Sequence, residues 1–453
     1  MVSGLPDDIL QSAGSAELWV AEQWKSTRLQ VAFFTNAFPM MSEPFIALSA
    51  ASLIDRGHDV DVYGLSNVTP TGFSSAPSVQ AKLRDRFRNA QWPLRFSERM
   101  KQLPTAASDL ARRRGIASLP IWKPGTYRRN WSDLTAVYQA RVIAEPGEYD
   151  ILHCQFATLA EYVVKHRRAG ILKGRLVVHF RGYDISEVVQ RFGPDVYDYL
   201  WSAADRFIAN CDHFKERAIA LGCPADKIDV VGSGIDLQGF AYQEPRSTDG
   251  GPVQCLTVGR LTPRKGIHIA IEALRRLVAE GCDINLAIVG DGEQRRELEE
   301  QASAGGLGER VKFLGSRPHS EIQTLLEASH IFIAASLTSS AGGVDAPVNT
   351  IKEAMAVGVP TCATDHGGIP ELVEEGSTGV LARENDPASL AAALRRLLAR
   401  EANWPTLSRA GRLRVERDYG NDIVTDKLLK VYEMALADRA KPERMISPVR
   451  AAQ

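Results

Sequence analysis

DAPVNTIKEAMAVGVPTCATDHGGIPELV, from Asp345 to Val373, is the stretch that decides the fold. An apolar segment at 331–336, IFIAAS, precedes it and predicts a buried parallel strand. The stretch continues as a loop, a short helix of small residues, a second buried strand at 359–363 and a glycine turn into another helix start. The loop therefore leaves the carboxyl end of a strand, the edge at which open α/β sheets bind ligands.

Two acids, Asp345 and Glu353, frame this loop. A carboxylate at a helix start accepts hydrogen bonds from neutral donors such as sugar hydroxyls. Thr350 and Glu353 also fit a capping box, in which Glu353 would only fold back on its own helix. Both interpretations stay open on these residues alone. The loop residues that complete the candidate site are Pro347, Val348 and Asn349.

Glycine turns follow several predicted strands of the second half. After the strand at 359–363, His366, Gly367 and Gly368 turn the chain into IPELV. Glycines let backbone N–H groups approach a ligand, and the helix start that follows favours anions. The same pattern recurs upstream. It adds the candidate ligand-contacting residues Gly259, Gly290, Gly292, Gly315 and Arg317.

Two cations, Arg260 and Lys265, lie in the loop GRLTPRKG at 259–266, between a strand and a helix. Phosphate recognition uses a forked guanidinium and a compact ammonium. Isolated cations are often plain surface charge, but the flanking glycines and the helix start favour an anion site. The segment therefore predicts contacts with phosphate groups.

The first half opens with a strand at 28–36, a loop, a helix and a second strand, which form a βαβ unit. The GxGxxG of a dinucleotide-binding domain is absent from it. In the loop, Ser42 and Glu43 fit the N-cap and first turn of the helix that follows.

A later strand, at 175–184, ends in the turn RGYD, which supplies the candidates Arg181 and Asp184. Arg181 can donate to a phosphate or sugar oxygen but cannot act as a base. His179 points to the other face of the strand and is predicted to lie in the core. A polar linker at 241–251 then separates the two halves.

The composition describes a chain with no strong overall charge. Its 453 residues, 44% of them hydrophobic, are enough for two or three domains, and a net charge of −1 gives no general attraction to nucleic acid. Six singly placed cysteines predict neither a disulfide framework nor a zinc site. The N-terminus is a poor signal peptide, and no apolar run approaches the roughly 18 residues of a membrane span. A cytoplasmic protein is predicted.

A basic segment at 82–131 departs from this balance, with thirteen Lys or Arg against three acids. Aromatic residues, among them Trp92 and Phe96, are interleaved with the cations. This mixture is expected of a surface that meets anionic lipid headgroups or a lipid diphosphate. A solvated basic face is the plain alternative. Nucleic acid is a third, but no recognised binding motif accompanies the segment, so no nucleic-acid partner is predicted.

The spaced acids, the small-residue helix and the turn GGIPE together resemble the signature of the retaining family 4 glycosyltransferases of the GT-B fold. The resemblance implies that Glu353 holds the ribose hydroxyls of a nucleotide sugar and that Asp345, where the family usually has Glu, holds hydroxyls of the transferred sugar. Arg260 and Lys265 lie in a segment similar to the family motif that grips the donor diphosphate. No metal ion is implied, since Asp345 has no partner at DxD spacing.

The first half shows the same resemblance. FPMMSEPFI at 38–46 is similar to FPxxSETFI of the surface-polysaccharide type, colanic acid enzymes included, whose loop lines the acceptor side of the cleft and here contains Ser42 and Glu43. RGYD resembles the family's HGxD, in which a histidine lies near the sugar carbon, and Arg181 takes that position. The family does not need a protein nucleophile, so front-side attack assisted by the departing phosphate is implied.

The expected fold is α/β, GT-B, with two doubly wound Rossmann-like domains facing across a cleft. The implied activity is retaining transfer of a hexosyl unit from a nucleotide diphosphate sugar to a hydroxyl acceptor, lipid-linked or a polysaccharide precursor, without a cofactor. A GT-B nucleotide-sugar epimerase and a catalytically silent scaffold are the alternatives. A lipid-linked acceptor would bring the segment 82–131 to the inner face of the membrane as a peripheral contact.

The predicted divisions of the chain follow the strands and the linker. They are an N-terminal extension at 1–24, an acceptor-side domain at 25–245, a nucleotide-sugar domain at 250–415, C-terminal helices at 416–440 with the last crossing back to the first domain, and a disordered tail at 441–453.

Overall fold

The computed structural model describes residues 28–73, 75–114, 134–143 and 146–437. The predicted extension at 1–24 and the predicted tail at 441–453 lie outside the described residues. The same holds for the later part of the basic segment, from 115 to 131.

The described residues of the first half form a parallel sheet of seven strands in the order β3-β2-β1-β4-β5-β6-β7. The strands are β1 (Gln30–Thr35), β2 (Asp59–Gly64), β3 (Phe87–Asn89), β4 (Glu148–Cys154), β5 (Lys173–Phe180), β6 (Arg206–Ala209) and β7 (Ile228–Val230). Alternate residues of a strand enter different cores, because side chains alternate across a sheet. Phe33 packs on one face and Phe34 on the other, and both are fully buried.

Helices cover both faces of this sheet. They are α1 (Pro44–Asp55), α2 (Pro77–Leu83), α3 (Phe96–Arg114), α4 (Thr135–Val142), α5 (Ala160–Arg168), α6 (Glu187–Phe192), α7 (Asp198–Ala203) and α8 (Asp212–Ala220). Strands buried on both faces are near-continuous apolar runs, and such runs are easy to recognise in the sequence.

The second half forms a parallel sheet of six strands in the order β10-β9-β8-β11-β12-β13. The strands are β8 (Val253–Val258), β9 (Ile284–Val289), β10 (Val311–Gly315), β11 (Ile331–Ala334), β12 (Thr361–Asp365) and β13 (Val380–Arg383). The helices are α9 (Ile267–Ala279), α10 (Arg295–Ala304), α11 (His319–Glu327), α12 (Asn349–Val357) and α13 (Pro387–Leu398). In both sheets the order reverses beside the first strand, which opens a crevice at the carboxyl edge.

Two helices end the described chain, α14 (Trp404–Tyr419) and α15 (Asn421–Ala437). α14 runs across the predicted boundary at 415. α15 lies on the first sheet, where Tyr432 is buried in the same cluster as Phe33. Its first residue, Asn421, contacts Ser52 of α1.

All six cysteines are free. Within the ranges that the structure describes, no helix is both long and apolar enough to cross a bilayer.

Candidate active site

The two halves contact each other at the loop between β11 and α12, where the backbone N–H of Val344 donates to Ser186 Oγ at 3.4 Å. α12 begins at Asn349 with Val348 as its N-cap, and no side chain caps it. Thr350 instead donates its hydroxyl proton to the carbonyl oxygen of Val258, 3.3 Å away. The capping-box interpretation of Glu353 is therefore wrong, because the helix starts one residue before Thr350 and places Glu353 beyond the capping position.

Glu353 is 7% exposed. Burial raises the pKa of its carboxyl to about 7, and the neighbouring Lys352 only partly opposes this shift. A carboxyl group in this state takes part in hydrogen bonding as either donor or acceptor near neutral pH. This chemistry suits a partner made of hydroxyl groups, as the family resemblance implies for ribose.

Lys352 is a cleft residue that the sequence reasoning missed. It is 1% exposed, and its Nζ donates to the carbonyl oxygen of Ser233 in the first half (2.8 Å) and to Asn349 Oδ1 (3.1 Å). Nζ also lies 4.5 Å from the ring centre of Tyr419. Burial lowers the pKa of Lys352 to about 7. Lys352 directly precedes Glu353, and nothing in the local sequence distinguishes it from an exposed helix lysine.

Asp345 is held by a set of donors. Its carboxylate accepts from Lys265 Nζ (2.7 Å) and Ser336 Oγ (2.8 Å), and Arg264 Nε lies 3.3 Å away. Burial opposes ionisation, but the two cations outweigh it and lower the pKa of Asp345 to about 2. The sequence predicted a diphosphate contact for Lys265 and a sugar contact for Asp345. The structure brings the two side chains into direct contact.

The two arginines of this loop differ in their surroundings. Arg264, which the sequence reasoning passed over, also pairs with Glu187 of α6 at 3.1 Å and so links the two halves. Arg260 is exposed, and among the described residues its guanidinium makes no hydrogen bond or ion pair. It lies near enough to Glu43 of the first half to lower the pKa of that carboxyl. Arg260 is thus the cation available to an incoming anion.

The candidate glycines that follow β8 and β9 or end β10 pack backbone against backbone. Gly290 has φ +133°, and a Cβ there would lie 1.9 Å from the carbonyl oxygen of Gly259. Gly290 N donates to the carbonyl oxygen of Gly315 (2.9 Å), and Gly292 has the Leu261 backbone where its Cβ would be. These glycines therefore let the loops pack on one another. This packing requires glycine whether or not the loops also contact a ligand.

Arg317, the last candidate on this side, is exposed and turned back on its own segment. Its Nε donates to the carbonyl oxygen of Leu314 (3.0 Å), and its NH1 lies 3.3 Å from Glu321.

The glycine turn after β12 supports Asp345. Gly367 has φ +54°, and a Cβ there would lie 2.3 Å from the carbonyl oxygen of Asp345. Gly368 N donates to that same oxygen at 3.0 Å, and a Cβ on Gly368 would lie 2.6 Å from Pro347 Cδ. The Gly368 N–H was predicted to face a ligand. It is engaged with Asp345 instead, because the two loops pack directly together.

Arg181 faces these loops from the first half. It donates from Nε to the carbonyl oxygen of Gln155 (3.0 Å) and from NH1 to Asn210 Oδ1 (3.2 Å) and Ser233 Oγ (3.2 Å). Its guanidinium also lies 4.5 Å from the ring centre of Phe45. Burial lowers its pKa to about 10, so Arg181 remains a cation at neutral pH.

Asp184 was predicted to lie on the acceptor side of the cleft, but its side chain does not reach the cleft. It is fully buried, and its carboxylate accepts from the backbone N–H groups of Arg181, Gly182, Ile185 and Ala157. Its role is to hold the turn that presents Arg181. His179 is 2% exposed and lies in the core, as the strand alternation predicts.

Glu43 and Ser42 end the loop after β1. α1 begins at Pro44 with Glu43 as its N-cap residue, and no side chain caps it, so the interpretation of Ser42 as the cap is wrong. Ser42 is exposed. The Glu43 carboxylate accepts from Thr35 Oγ1 at 3.4 Å. Burial raises its pKa, and Arg181 and Arg260 partly reverse this shift, which places Glu43 between cations of both halves.

The chain matches two protein-family models and is similar to known proteins. Residues 43–238 match the family model described as Glycosyltransferase Family 4, and residues 241–414 match the one described as Glycosyl transferases group 1. The chain is 31% identical to the amylovoran biosynthesis glycosyltransferase AmsK of Erwinia amylovora, over 89% of this chain and 99% of that protein. It is 30% identical to the putative colanic acid biosynthesis glycosyltransferase WcaL of Salmonella typhimurium, over 81% and 90%.

Solved structures share the fold. Anabaena Alr3699/HepE in complex with UDP and glucose superimposes with a TM-score of 0.62 at 20% identity, over 89% of this chain and 99% of that one. Sucrose-phosphate synthase from Thermosynechococcus elongatus superimposes with a TM-score of 0.64 at 20% identity, over 90% of this chain and 100% of that one. The predicted GT-B fold is confirmed. With its two family matches and its surface-polysaccharide relatives, the chain belongs to the family 4 glycosyltransferases, enzymes that transfer a sugar from a nucleotide sugar.

Proposed function

We propose that this enzyme transfers a hexosyl unit from a nucleoside diphosphate sugar, with retention at the anomeric carbon, to a hydroxyl group of a lipid-linked polysaccharide precursor. The observation that carries the proposal is the contact between Lys265 and Asp345, from the loops after β8 and β11. A phosphate-binding cation and a hydroxyl-binding carboxylate thereby meet at one point of the cleft. That arrangement suits the junction of diphosphate and sugar in the donor.

The leaving group is the charge that the site must stabilise. Lys265 carries three N–H donors, so it can keep Asp345 and still reach a phosphate oxygen. The exposed Arg260 supplies a forked donor to the same group. Stabilisation of a developing anion by fixed donors is often the largest catalytic contribution. Asp345, ionised at neutral pH, accepts from hydroxyls of the sugar, and Glu353 accepts from the ribose.

The mechanism of the transfer step follows from the side chain that would face the sugar. Arg181 stands where the family places a histidine, and a guanidinium neither accepts a proton nor attacks carbon. We assign a front-side displacement. The bond from the anomeric carbon to the diphosphate oxygen breaks, the bond to the acceptor oxygen forms on the same face, and the acceptor proton passes to the departing diphosphate. Glu43 and Arg181 would orient the acceptor.

The acceptor class is supported by the surface near α3. Leu94 is 80% exposed, Phe96 51% and Met100 46%, and Arg95 and Lys101 are exposed beside them. The loop before this helix is tied to the end of β2, because Asn67 Nδ2 donates to the carbonyl oxygen of Trp92 at 2.8 Å. Apolar side chains interleaved with cations suit an anionic bilayer. Relatives named for colanic acid and amylovoran biosynthesis support a polysaccharide precursor.

The first test is a panel of nucleotide sugars with purified enzyme in EDTA, followed by saturation-transfer NMR for binding and by release of nucleotide for slow hydrolysis. One donor is expected to give both signals without a divalent cation. Arg260→Ala is expected to lose them, while Arg317→Ala, an exposed cation held to its own segment, should keep turnover. Silence across the panel from a folded enzyme, or full turnover by Arg260→Ala, would contradict the proposal.

A further inference from the structure

His366, the residue after β12, connects Asp345 to a second carboxylate. The residue is 3% exposed. Its Nε2 accepts from the backbone N–H of Asp345 at 3.1 Å, and its Nδ1 lies 2.5 Å from Glu384 Oε2. The sequence reasoning placed His366 in the glycine turn without giving it a function.

The partners fix the tautomer of this ring. A backbone N–H only donates, so Nε2 carries no proton, and the ring proton lies on Nδ1, from which it is donated to Glu384. Glu384 is itself held by Thr338, whose backbone N and Oγ1 each lie 3.2 Å from its Oε2. The chain Thr338–Glu384–His366–Asp345 therefore joins segments that follow three neighbouring strands.

Asp345 is fixed on both sides of its Cα. His366 holds its N–H, and Gly368 N holds its carbonyl oxygen at 3.0 Å. With the backbone fixed, the carboxylate is directed at Lys265 and Ser336. Without an acceptor at the position of His366 Nε2, a buried N–H group would lose its partner, which a folded chain relieves by moving the loop.

We propose that His366 is a positioning residue for the transfer reaction. It acts through the backbone of Asp345, and it sets the direction in which that carboxylate meets the sugar of the donor. The proposal rests on the proposed function, in which Asp345 holds the transferred sugar. His366 itself touches neither the donor nor the acceptor.

Two amide variants separate the two ring nitrogens. His366→Gln can place an amide oxygen where Nε2 lies, so it keeps the acceptor for Asp345. His366→Asn is one methylene shorter, reaches only the position of Nδ1, and keeps the contact with Glu384 alone. Both variants place an amide in the same buried site. They therefore exchange the two contacts: His366→Gln keeps the acceptor for Asp345 and gives up the contact with Glu384, and His366→Asn does the reverse.

The first measurement is amide hydrogen exchange by mass spectrometry on the peptide that contains Asp345, in ligand-free enzyme. His366→Asn is expected to exchange about tenfold faster there, the effect of one lost hydrogen bond, while His366→Gln stays close to wild type. Equal exchange in the two variants would overturn the proposal, whatever the donor data show.

The second measurement compares the affinities for UDP-glucose and UDP as probes. His366→Asn is expected to lower the preference for UDP-glucose over UDP about tenfold and to leave UDP binding nearly unchanged, because only the sugar contact moves. A preference that does not fall although exchange rises would also overturn the proposal. If exchange responds but wild type discriminates no nucleotide sugar from its diphosphate, the proposed function fails and the effect of His366 on the loop stands.

Discussion

Glu353 gives the site its expected pH dependence. Its folded-state pKa is raised to about 7 by burial, so the carboxyl is largely protonated below that pH and ionised above it. Ribose hydroxyls are bound better by the carboxylate, and donor affinity should therefore fall as the pH falls from 8 to 6, by about tenfold for one group. Titration calorimetry with the donor at several pH values measures this.

Glu353→Gln is the matched variant for this measurement. It removes the titrating carboxyl and keeps Lys352, whose pKa is lowered to about 7 by burial. Affinity should be weaker and flat across the same pH window. A slope of wild-type size in Glu353→Gln would assign the pH dependence to Lys352 and contradict the role given to Glu353.

At single residues, the sequence indicated which side chains carry chemistry but not which ones touch. Asp345 and Glu353 could be selected because both follow a predicted strand. The contact of Asp345 with Lys265 joins residues 80 positions apart, and local patterns hold no information on such a pair. For the same reason Asp184, placed at the acceptor side by its position in a turn, proves to hold backbone N–H groups.

At the scale of elements, α3 and the loop that precedes it are the part of the first half that we expect to meet a membrane. Leu94→Asp, Phe96→Asp and Met100→Asp together should reduce sedimentation with vesicles of phosphatidylglycerol and phosphatidylcholine, because they replace the exposed apolar side chains by charges that an anionic surface repels. Each charge should weaken binding by roughly fivefold, or about 1 kcal/mol.

Leu413→Asp is the matched control for α3. Leu413 is another exposed apolar residue, 64% accessible, but it lies on α14. Equal losses from the control and from the triple variant would contradict a specific membrane contact of α3. High salt should release the wild type from the vesicles as well, since the cations of this surface are screened.

Element types were easier to predict than element ends. Buried parallel strands such as β11 are apolar runs that allow few other structural interpretations. The start of α12 was misjudged because Thr350 has the chemistry of a cap, whereas the preceding Val348 does not. A tertiary contact takes the place of the cap, since the Thr350 hydroxyl donates to the carbonyl oxygen of Val258 on β8.

At the scale of the molecule, several polar contacts among the described residues join the two halves, and three of them involve residues of the candidate site or of the turns beside it. Arg264 pairs with Glu187, and Lys352 donates to the carbonyl oxygen of Ser233. The third link is Glu371, in the turn after β12, whose carboxylate accepts from the backbone N–H groups of Asp212 (2.9 Å) and His213 (2.8 Å) at the start of α8. A carboxylate is favoured at that position by the orphan N–H groups and the helix dipole.

Glu371→Ala should shift the two halves towards an open arrangement. Two charge-assisted hydrogen bonds are lost, each worth about 1.5 kcal/mol, so the balance between closed and open forms should move by roughly a hundredfold. Small-angle X-ray scattering of ligand-free enzyme should then give a larger radius of gyration. Glu374→Ala, three residues on and exposed, should scatter as wild type does. Identical curves for Glu371→Ala and Glu374→Ala would show that the Glu371 contact does not hold the halves together.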